Sequence, residues 1–208
     1  MRLSEFDFDL PETLIATRPA KPRGSSRLLV AQNGGLADQV VADLPDLLRS
    51  GDRLVLNDTK VIHARLFGER FRQSAAGETV AKVEITLLSP TETGDWRALA
   101  KPGKRLKIGE RVHFGPDLSA EVLAKPDGEV ELRFNLSGSA FDTALEAVGM
   151  MPLPPYIAAL RAVDRQDNED YQTVFAQNKG AVAAPTASLH FDQGLLDRLA
   201  AKGITFTK

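Results

Sequence analysis

The sequence has no cysteine and few histidines, and both absences narrow the chemistry open to it. With no cysteine among 208 residues, disulfides, thiolate nucleophiles, iron–sulfur clusters and cysteine-bound zinc are excluded. The three histidines, at positions 63, 113 and 190, form no HExxH motif, so a histidine-based metal site is not expected. We therefore predict a site that uses no metal ion.

Long apolar runs and an excess of positive charge are also missing. No run approaches the roughly 20 apolar residues that span a bilayer. The start, MRLSEFDFDLPE, carries acids where a signal peptide has basic residues. We therefore expect a soluble, cytoplasmic protein with no membrane partner. The net charge of −2 means that any binding to nucleic acid must rest on a local basic patch.

The stretch GAVAAPTASLHFD, residues 180–192, combines small residues with a group of polar ones. The apolar positions of QGLLDRLAAKG, which follows, recur every three or four residues and predict a helix with Asp192 as its N-cap and Gly203 as its stop. Residues Ala181 to Phe206 therefore predict a strand, a loop, a helix and a second strand. In α/β proteins, the strand ends and helix N-termini of such units bind ligands.

A second polar group follows the apolar run Leu54–Leu56, which predicts a buried strand. Asn57, Asp58, Thr59 and Lys60 come directly after it, at the carboxyl end where an α/β sheet places ligand contacts. A polar turn in which Asn57 or Asp58 caps the next segment would give the same pattern. Both interpretations stay open on the sequence alone.

The middle of the chain has the period of β-structure. Apolar residues alternate with polar ones around Val83–Leu87, Trp96–Ala100 and Val130–Phe134, with Gly and Pro turns between them. We predict a small all-β barrel at 67–136, inserted into a discontinuous, mixed-sheet α/β domain formed by 1–66 and 137–208. The fold class is therefore α/β.

Shorter signals mark the connecting segments. NGG at 33–35 predicts a hairpin, Asp43–Ser50 a short helix, and Ser139 with Asp142 a capping box for a helix that stops at Gly149. The prolines of MPLPPYI predict an extended, non-helical segment before Tyr156. The charged run RAVDRQDNEDYQ, 161–172, predicts an exposed loop.

Basic residues cluster in two places. Near the start, Arg23 lies with three other basic residues in a loop rich in proline, glycine and serine. In the β-insert, a predicted hairpin around Trp96 carries Arg97, Lys101, Lys104 and Arg105. Either cluster is compatible with a solvated surface, which on a strand edge also blocks aggregation, or with contacts to RNA phosphates.

Several uncommon strings resemble one known family. NDTKVIHARL, WRALAKPGKRL, PLPPYI, YQTVFA and GAVAAPTASLHF occur in the order and at the spacing typical of the S-adenosylmethionine:tRNA ribosyltransferase-isomerase family of queuosine biosynthesis. The chain departs from that pattern at Lys60, His63 and Ser188, where the family usually has arginine, proline and glycine. Family members continue for well over a hundred further residues, so the chain resembles the N-terminal part of the enzyme.

The resemblance implies a metal-free transfer reaction. The ribosyl part of S-adenosylmethionine, a substrate and not a cofactor, moves to 7-aminomethyl-7-deazaguanine at the wobble position of a tRNA with a GUN-type anticodon. Adenine and methionine leave, and epoxyqueuosine forms. A base must remove a proton beside the sulfonium and an acid must protonate adenine, so we predict His190 and Asp58 as catalytic residues. Without the family, a lone histidine such as His190 is more simply a capping or packing residue.

The remaining site predictions follow from position and chemistry. The substrate-binding candidates are Asn57, Thr59, Lys60, Arg65, Tyr156, Tyr171, Gln172, Pro185 and Thr186. The tRNA-binding candidates are Arg23, Arg97, Lys101, Lys104 and Arg105. We expect a monomer. Two alternatives to an active enzyme remain, a non-catalytic RNA-binding module and an inactive fragment that retains only tRNA binding.

Overall fold

The computed structural model describes residues 2–32, 34–75 and 77–208, and these form twelve strands and five α-helices. The strands are β1 (Arg27–Gln32), β2 (Gly35–Val40), β3 (Arg53–Val55), β4 (Thr59–Val61), β5 (Arg65–Ser74), β6 (Gly77–Pro90), β7 (Trp96–Lys101), β8 (Arg111–His113), β9 (Ser119–Ala124), β10 (Val130–Phe134), β11 (Asn178–Ala181) and β12 (Thr205–Thr207). The helices are α1 (Leu44–Leu47), α2 (Gly138–Val148), α3 (Pro155–Leu160), α4 (Asp167–Asp170) and α5 (Gln193–Ala201). Short 3₁₀ turns cover Leu3–Phe6, Glu12–Leu14, Arg23–Ser25, Val41–Asp43, Gly103–Arg105 and Thr186–His190.

The strands β5 to β10 close into a six-stranded barrel in the order β10-β7-β6-β5-β8-β9. Their apolar residues alternate with polar ones, so one face of each strand fills the barrel interior with side chains such as Ile85, Leu87, Val122 and Leu132, which are fully buried. This confirms the predicted β-barrel. The domain boundaries at 67 and 136 remain a prediction; the barrel strands themselves run from Arg65 to Phe134.

Outside the barrel, the described residues form three small two-stranded sheets. β1 and β2 pair antiparallel, whereas β3 with β12 and β4 with β11 pair parallel. This mixture of parallel and antiparallel pairs with helices confirms the α/β class. In the predicted hairpin, Gln32 pairs with Gly35, and Asn33 lies outside the described residues. None of the helices in the described ranges is long and apolar enough to cross a membrane.

The segment that contains α5 has the predicted helix and caps. The Asp192 carboxylate accepts a hydrogen bond from the Leu195 N–H (2.8 Å), and Gly203 ends the helix with a φ of +84°. Leu195 and Leu199 are buried against Val41 in a small core. The strand before it was placed wrongly, because β11 ends at Ala181 and the small residues after it form bends and coil.

The prediction of a fully buried strand at Leu54–Leu56 was wrong. Leu54 packs against the core of α5, but Val55 is 78% exposed. Successive side chains of a strand point to opposite faces, and β3 has a core on one face only. An apolar triplet therefore does not distinguish a strand with two buried faces from a strand with one.

Three helix predictions also need correction. The helix predicted at Asp43–Ser50 is a single α-turn, because Leu48 already has an extended backbone (φ −91°, ψ 160°). The capping box at Ser139 and Asp142 is absent: Ser137 is the N-cap of α2 and makes no side-chain cap bond. The segment before Tyr156 is extended only as far as Pro154, since Pro155 takes the first position of α3, where its missing N–H costs no hydrogen bond.

Candidate active site

A cavity of about 750 Å³ lies between the outer wall of the barrel and the segments that follow it. The barrel contributes side chains from β5, β6 and β7, and the opposite wall comes from three later segments. The lining residues are Arg65, Glu84, Thr86, Leu88, Leu99, Pro152–Tyr156, Ala158, Ala159, Tyr171, Val182–Ala184 and Thr186. Ligand pockets typically measure about 300–1,000 Å³ and combine an apolar lining with a few polar groups, as this one does.

An ion pair on the barrel wall supplies the charges of this cavity. The Arg65 Nε and Nη2 atoms both lie 2.7 Å from the same Glu84 oxygen, Oε1, and each side chain is 25% exposed. The guanidinium carbon of Arg65 also lies 5.3 Å from the centre of the Phe67 ring. The guanidinium is therefore held in place while its edge remains open to the cavity.

Tyr171 reaches the cavity from the C-terminal end of α4. Its ring is 8% exposed and packs with Val61, Met151, Leu153 and Ile157. Burial raises the pKa of the Tyr171 hydroxyl, since the phenolate would lose its hydration. At neutral pH the hydroxyl is thus a neutral hydrogen-bond donor. Tyr156, on α3, is 58% exposed at the same cavity.

The segment 161–172, predicted as an exposed loop, is instead anchored by buried carboxylates. Asp167 is fully buried and Asp170 is 2% exposed. The Arg161 guanidinium donates to both Asp167 oxygens, and Arg18 donates to Asp164, Asp167 and Asp170. The charges were misinterpreted as a solvated surface because Arg18, which binds three of the carboxylates, is distant in sequence. Through this network, the N-terminal loop fixes α4 and hence Tyr171.

The polar group after β3 forms a turn with an internal bond and a bond to β11. Asn57 Oδ1 accepts the Thr59 N–H (2.9 Å), and Asp58 Oδ2 accepts from the Asn178 amide (3.0 Å). Lys60 and Gln172 line a separate cavity of about 330 Å³. Gln172 also directs its side-chain amide at the backbone of Val61.

His190 ends the 3₁₀ turn that begins at Thr186, and the N-terminal loop holds it. Its Nδ1 lies 2.9 Å from Ser26 Oγ, whose own hydroxyl donates to the Arg23 carbonyl (3.0 Å). Arg23 donates in turn to the carbonyls of Leu189 (3.0 Å) and Glu169 (2.7 Å). Because a hydroxyl has one proton, this arrangement favours the neutral tautomer in which Nδ1–H donates to Ser26 and the lone pair is on Nε2.

The structure thus gathers some of the predicted residues and separates others. Arg65, Tyr156, Tyr171 and Thr186 share the 750 Å³ cavity, and Pro185 directly precedes Thr186. Neither His190 nor Asp58 is among the described residues that line it. Glu84 was missed, although its place in the alternating run VEITLL marks it as an outward-facing side chain.

The predicted RNA-binding residues lie on different parts of the surface. Arg23 uses its guanidinium on the two backbone carbonyls, and Arg97 pairs with Glu129 (2.7 Å). Lys101, Lys104 and Arg105 are exposed at the end of β7 and in the 3₁₀ turn after it.

The fold and the cavity define an α/β protein in which an inserted barrel forms one wall of a ligand-sized site. The chain belongs to the queuosine biosynthesis protein family, whose model matches residues 3–208. This confirms the resemblance that the sequence strings carry.

Curated relatives agree with this family. An S-adenosylmethionine:tRNA ribosyltransferase-isomerase of Ruegeria pomeroyi is 64% identical over 207 residues, and one of Dinoroseobacter shibae is 62% identical over 208. Each alignment covers all of this chain and 59% of the relative, so the chain spans about three fifths of their length. A crystal structure of an S-adenosylmethionine tRNA ribosyltransferase from Thermotoga maritima is 30% identical, with a TM-score of 0.36, over 98% of this chain and 56% of that one.

Proposed function

We propose that this chain contains the S-adenosylmethionine site of a tRNA ribosyltransferase-isomerase. The observation that carries the proposal is the 750 Å³ cavity, in which Arg65, Tyr156, Tyr171 and Thr186 meet from four separate segments. S-adenosylmethionine is the substrate that donates its ribosyl group, and the proposal includes no cofactor. The acceptor is 7-aminomethyl-7-deazaguanine at the wobble position of a tRNA with a GUN-type anticodon, and the product is epoxyqueuosine.

The polar and apolar groups of the cavity suit the parts of this donor. The open edge of the Arg65 guanidinium suits the methionine carboxylate, and the Glu84 carboxylate suits a neighbouring ammonium or sulfonium charge. Leu88, Leu99 and the proline-rich segment 152–155 offer an apolar surface to the adenine ring. The Tyr171 hydroxyl is a neutral donor for a ribose or adenine acceptor.

The reaction needs one proton removed beside the sulfonium and one delivered to departing adenine. His190 remains the proposed base, because its bond to Ser26 favours the tautomer with the lone pair on Nε2. Asp58 remains the second candidate. Both lie outside the lining of the cavity, so the proposal requires the tRNA or a movement of the 186–190 turn to bring one of them to the substrate. We retain a cytoplasmic monomer as part of the proposal.

Adenine release is the direct test. The chain is incubated with S-adenosylmethionine, with and without tRNA carrying 7-aminomethyl-7-deazaguanine, and free adenine is measured. Release that depends on this tRNA supports the proposal. In Arg65→Gln, adenine release should no longer saturate at the S-adenosylmethionine concentrations that saturate the wild type. The control is Arg111→Gln, which removes an exposed barrel arginine paired with Glu121 at 3.6 Å and should leave saturation unchanged. A folded chain that binds tRNA but releases no adenine would favour the alternative, an inactive fragment that retains only tRNA binding.

A further inference from the structure

The outer face of the barrel continues from the candidate active site into a second groove. Paired residues on β5, β6, β7 and β8 form three successive rungs of this face, about 7 Å apart. The rungs are Arg65, Thr86 and Leu99; then Phe67, Glu84 and Lys101; then Glu69, Lys82 and His113. The first rung lies in the 750 Å³ cavity and the third lies outside it.

The groove beyond the first rung has a volume of about 710 Å³. Phe67, Lys82, Lys101 and His113 line it, and Glu84 lines both this groove and the active-site cavity. The two spaces therefore adjoin at a single side chain. A polymer whose reactive unit occupied the cavity would place its neighbouring unit in the groove.

An aromatic ring is available on the floor of this groove. Phe67 is 48% exposed, although most large apolar side chains of the barrel point inwards. The Arg65 guanidinium, 5.3 Å from the ring centre, helps to fix its orientation. A fixed and exposed ring is suited to stacking with a nucleobase, an interaction that tolerates any base.

The charges of the groove favour an anionic ligand. Among the described residues, Lys82 and Lys101 have no ion-pair partner within 4 Å, whereas the charge of Glu84 is offset by Arg65. Glu69 is the remaining carboxylate of the lining. The two lysines and this one carboxylate leave a net charge of +1 in the groove, with His113 taken as neutral. Lys82 on β6 and Lys101 on β7 lie on the same side of Phe67, and His113 on β8 lies on the other. Lysine side chains beside an exposed aromatic ring suit the phosphate and base of a single-stranded nucleotide.

We propose that this groove is a second nucleotide subsite, which binds the RNA nucleotide adjacent to the one modified in the active-site cavity. Its base stacks on Phe67, and its phosphate lies between Lys82 and Lys101. This inference rests on the proposed function for the identity of the RNA. The subsite is on the barrel, and of the four basic hairpin residues predicted to bind tRNA it includes only Lys101.

The first test measures affinity for a synthetic anticodon stem-loop that carries 7-aminomethyl-7-deazaguanine at the wobble position. Phe67→Ala should weaken binding about 5- to 150-fold, the range for loss of one base stack, and Phe67→Tyr should restore it. Phe71→Ala is the matched control, because Phe71 lies on the same strand and face, is 43% exposed and does not line the groove. Equal losses for Phe67→Ala and Phe71→Ala, or no loss for Phe67→Ala, would overturn the subsite.

A double-mutant cycle identifies the stacked nucleotide. Stem-loops that are abasic at the 5′ or the 3′ neighbour of the modified nucleotide are measured with wild type and with Phe67→Ala. At one of these two positions the abasic change should cost little further affinity in the variant, because both changes remove the same contact. Additive losses at both positions would contradict the proposal.

The phosphate contact is tested by salt dependence. Lys82→Gln and Lys101→Gln should each reduce the slope of log affinity against log salt concentration by up to about 0.7, whereas Arg49→Gln, at an 89% exposed arginine outside the groove, should not. Unchanged slopes would overturn this contact.

Failure of these tests in a chain that still releases adenine would reject only the subsite. RNA affinity that depends on Phe67 and both lysines, in a chain that releases no adenine, would reject the proposed function and support the subsite.

Discussion

Gln172 binds both backbone groups of Val61 through its side-chain amide. The Val61 N–H donates to Oε1 (3.1 Å), and Nε2 donates to the Val61 carbonyl (2.6 Å). Val61 is the last residue of β4 and is 3% exposed. The side chain of Gln172 thus takes the place of a neighbouring strand along the edge of β4 that β11 does not cover. Gln172 directly follows Tyr171 in the sequence.

We predict that Gln172→Ala lowers the free energy of unfolding by about 1–3 kcal/mol, because two buried backbone groups lose their partner. Urea denaturation would measure this change. Gln193→Ala removes an exposed amide bond to Asp197 (2.8 Å) and should shift stability by no more than about 0.5 kcal/mol. If both variants were equally stable, Gln172 would be free for the substrate-binding role predicted from the sequence.

The Asp167 network predicts a particular dependence of stability on pH. Burial alone raises the pKa of the Asp167 carboxyl, but hydrogen bonds from Arg161 and the Asp164 N–H, with the charges of Arg161 and Arg18, outweigh burial and leave the pKa below its ordinary value. The folded state therefore binds a proton less readily than the unfolded state. The stabilisation is complete above the ordinary value near 3.8 and is lost as pH falls through the folded-state pKa.

Asp167→Asn should accordingly lower stability at pH 7 by about 1.5–3 kcal/mol, because Arg161 loses its carboxylate partner and Arg18 loses one of three. Below about pH 4 the difference from wild type should shrink. Unfolding free energies measured from pH 7 to pH 3 test both points. Asp38→Asn is the control, since the Arg27–Asp38 pair is exposed and should contribute at most about 1 kcal/mol. A constant difference across the pH range would exclude this role for the carboxylate.

The barrel could be predicted from the sequence because its signal is local. Alternation at Val83, Ile85 and Leu87 fixes which residues face inwards, and this pattern does not depend on distant parts of the chain. The helix α5 was predictable for the same reason, since its apolar positions and both caps lie within eleven residues of one another.

The active-site cavity could be predicted only in part. The sequence predicted Arg65, Tyr156, Tyr171 and Thr186 as substrate-binding residues, but their proximity depends on how the barrel packs against later segments. The buried charges of α4 were missed because Arg18 lies 149 residues before Asp167, and no local pattern joins them. A charged run can be identified as buried only when its partners are known.

We predict that Tyr171→Phe weakens binding of S-adenosylmethionine about 2- to 13-fold, the range for one neutral hydrogen bond, with little change in stability. Isothermal titration calorimetry would measure the affinity. Tyr156→Phe provides the comparison, since Tyr156 is far more exposed in the same cavity and its hydroxyl can exchange ligand for water. Equal affinities for wild type and Tyr171→Phe would show that the ring of Tyr171 contributes only packing.

The bond between Ser26 and His190 predicts the tautomer of the proposed base. If the Ser26 hydroxyl directs its one proton at the Arg23 carbonyl, its oxygen is left to accept from His190 Nδ1–H. Nitrogen NMR of the His190 ring at a pH where it is neutral should therefore show a proton on Nδ1 and none on Nε2. Ser26→Ala should allow both tautomers, whereas Ser25→Ala, which removes only a bond to the Pro22 carbonyl (2.7 Å), should not.

The catalytic consequence follows from the size of the effect on adenine release. A positioned acid–base group contributes about 10²- to 10⁴-fold, so His190→Ala should reduce release by that factor if His190 is the base. Ser26→Ala should have a smaller effect, because the imidazole is still present and only its preferred tautomer is lost. A loss of less than about tenfold in His190→Ala would remove it from the mechanism. The histidine would then be the packing residue that a lone histidine beside a helix usually is, and Asp58→Asn would become the next variant to measure.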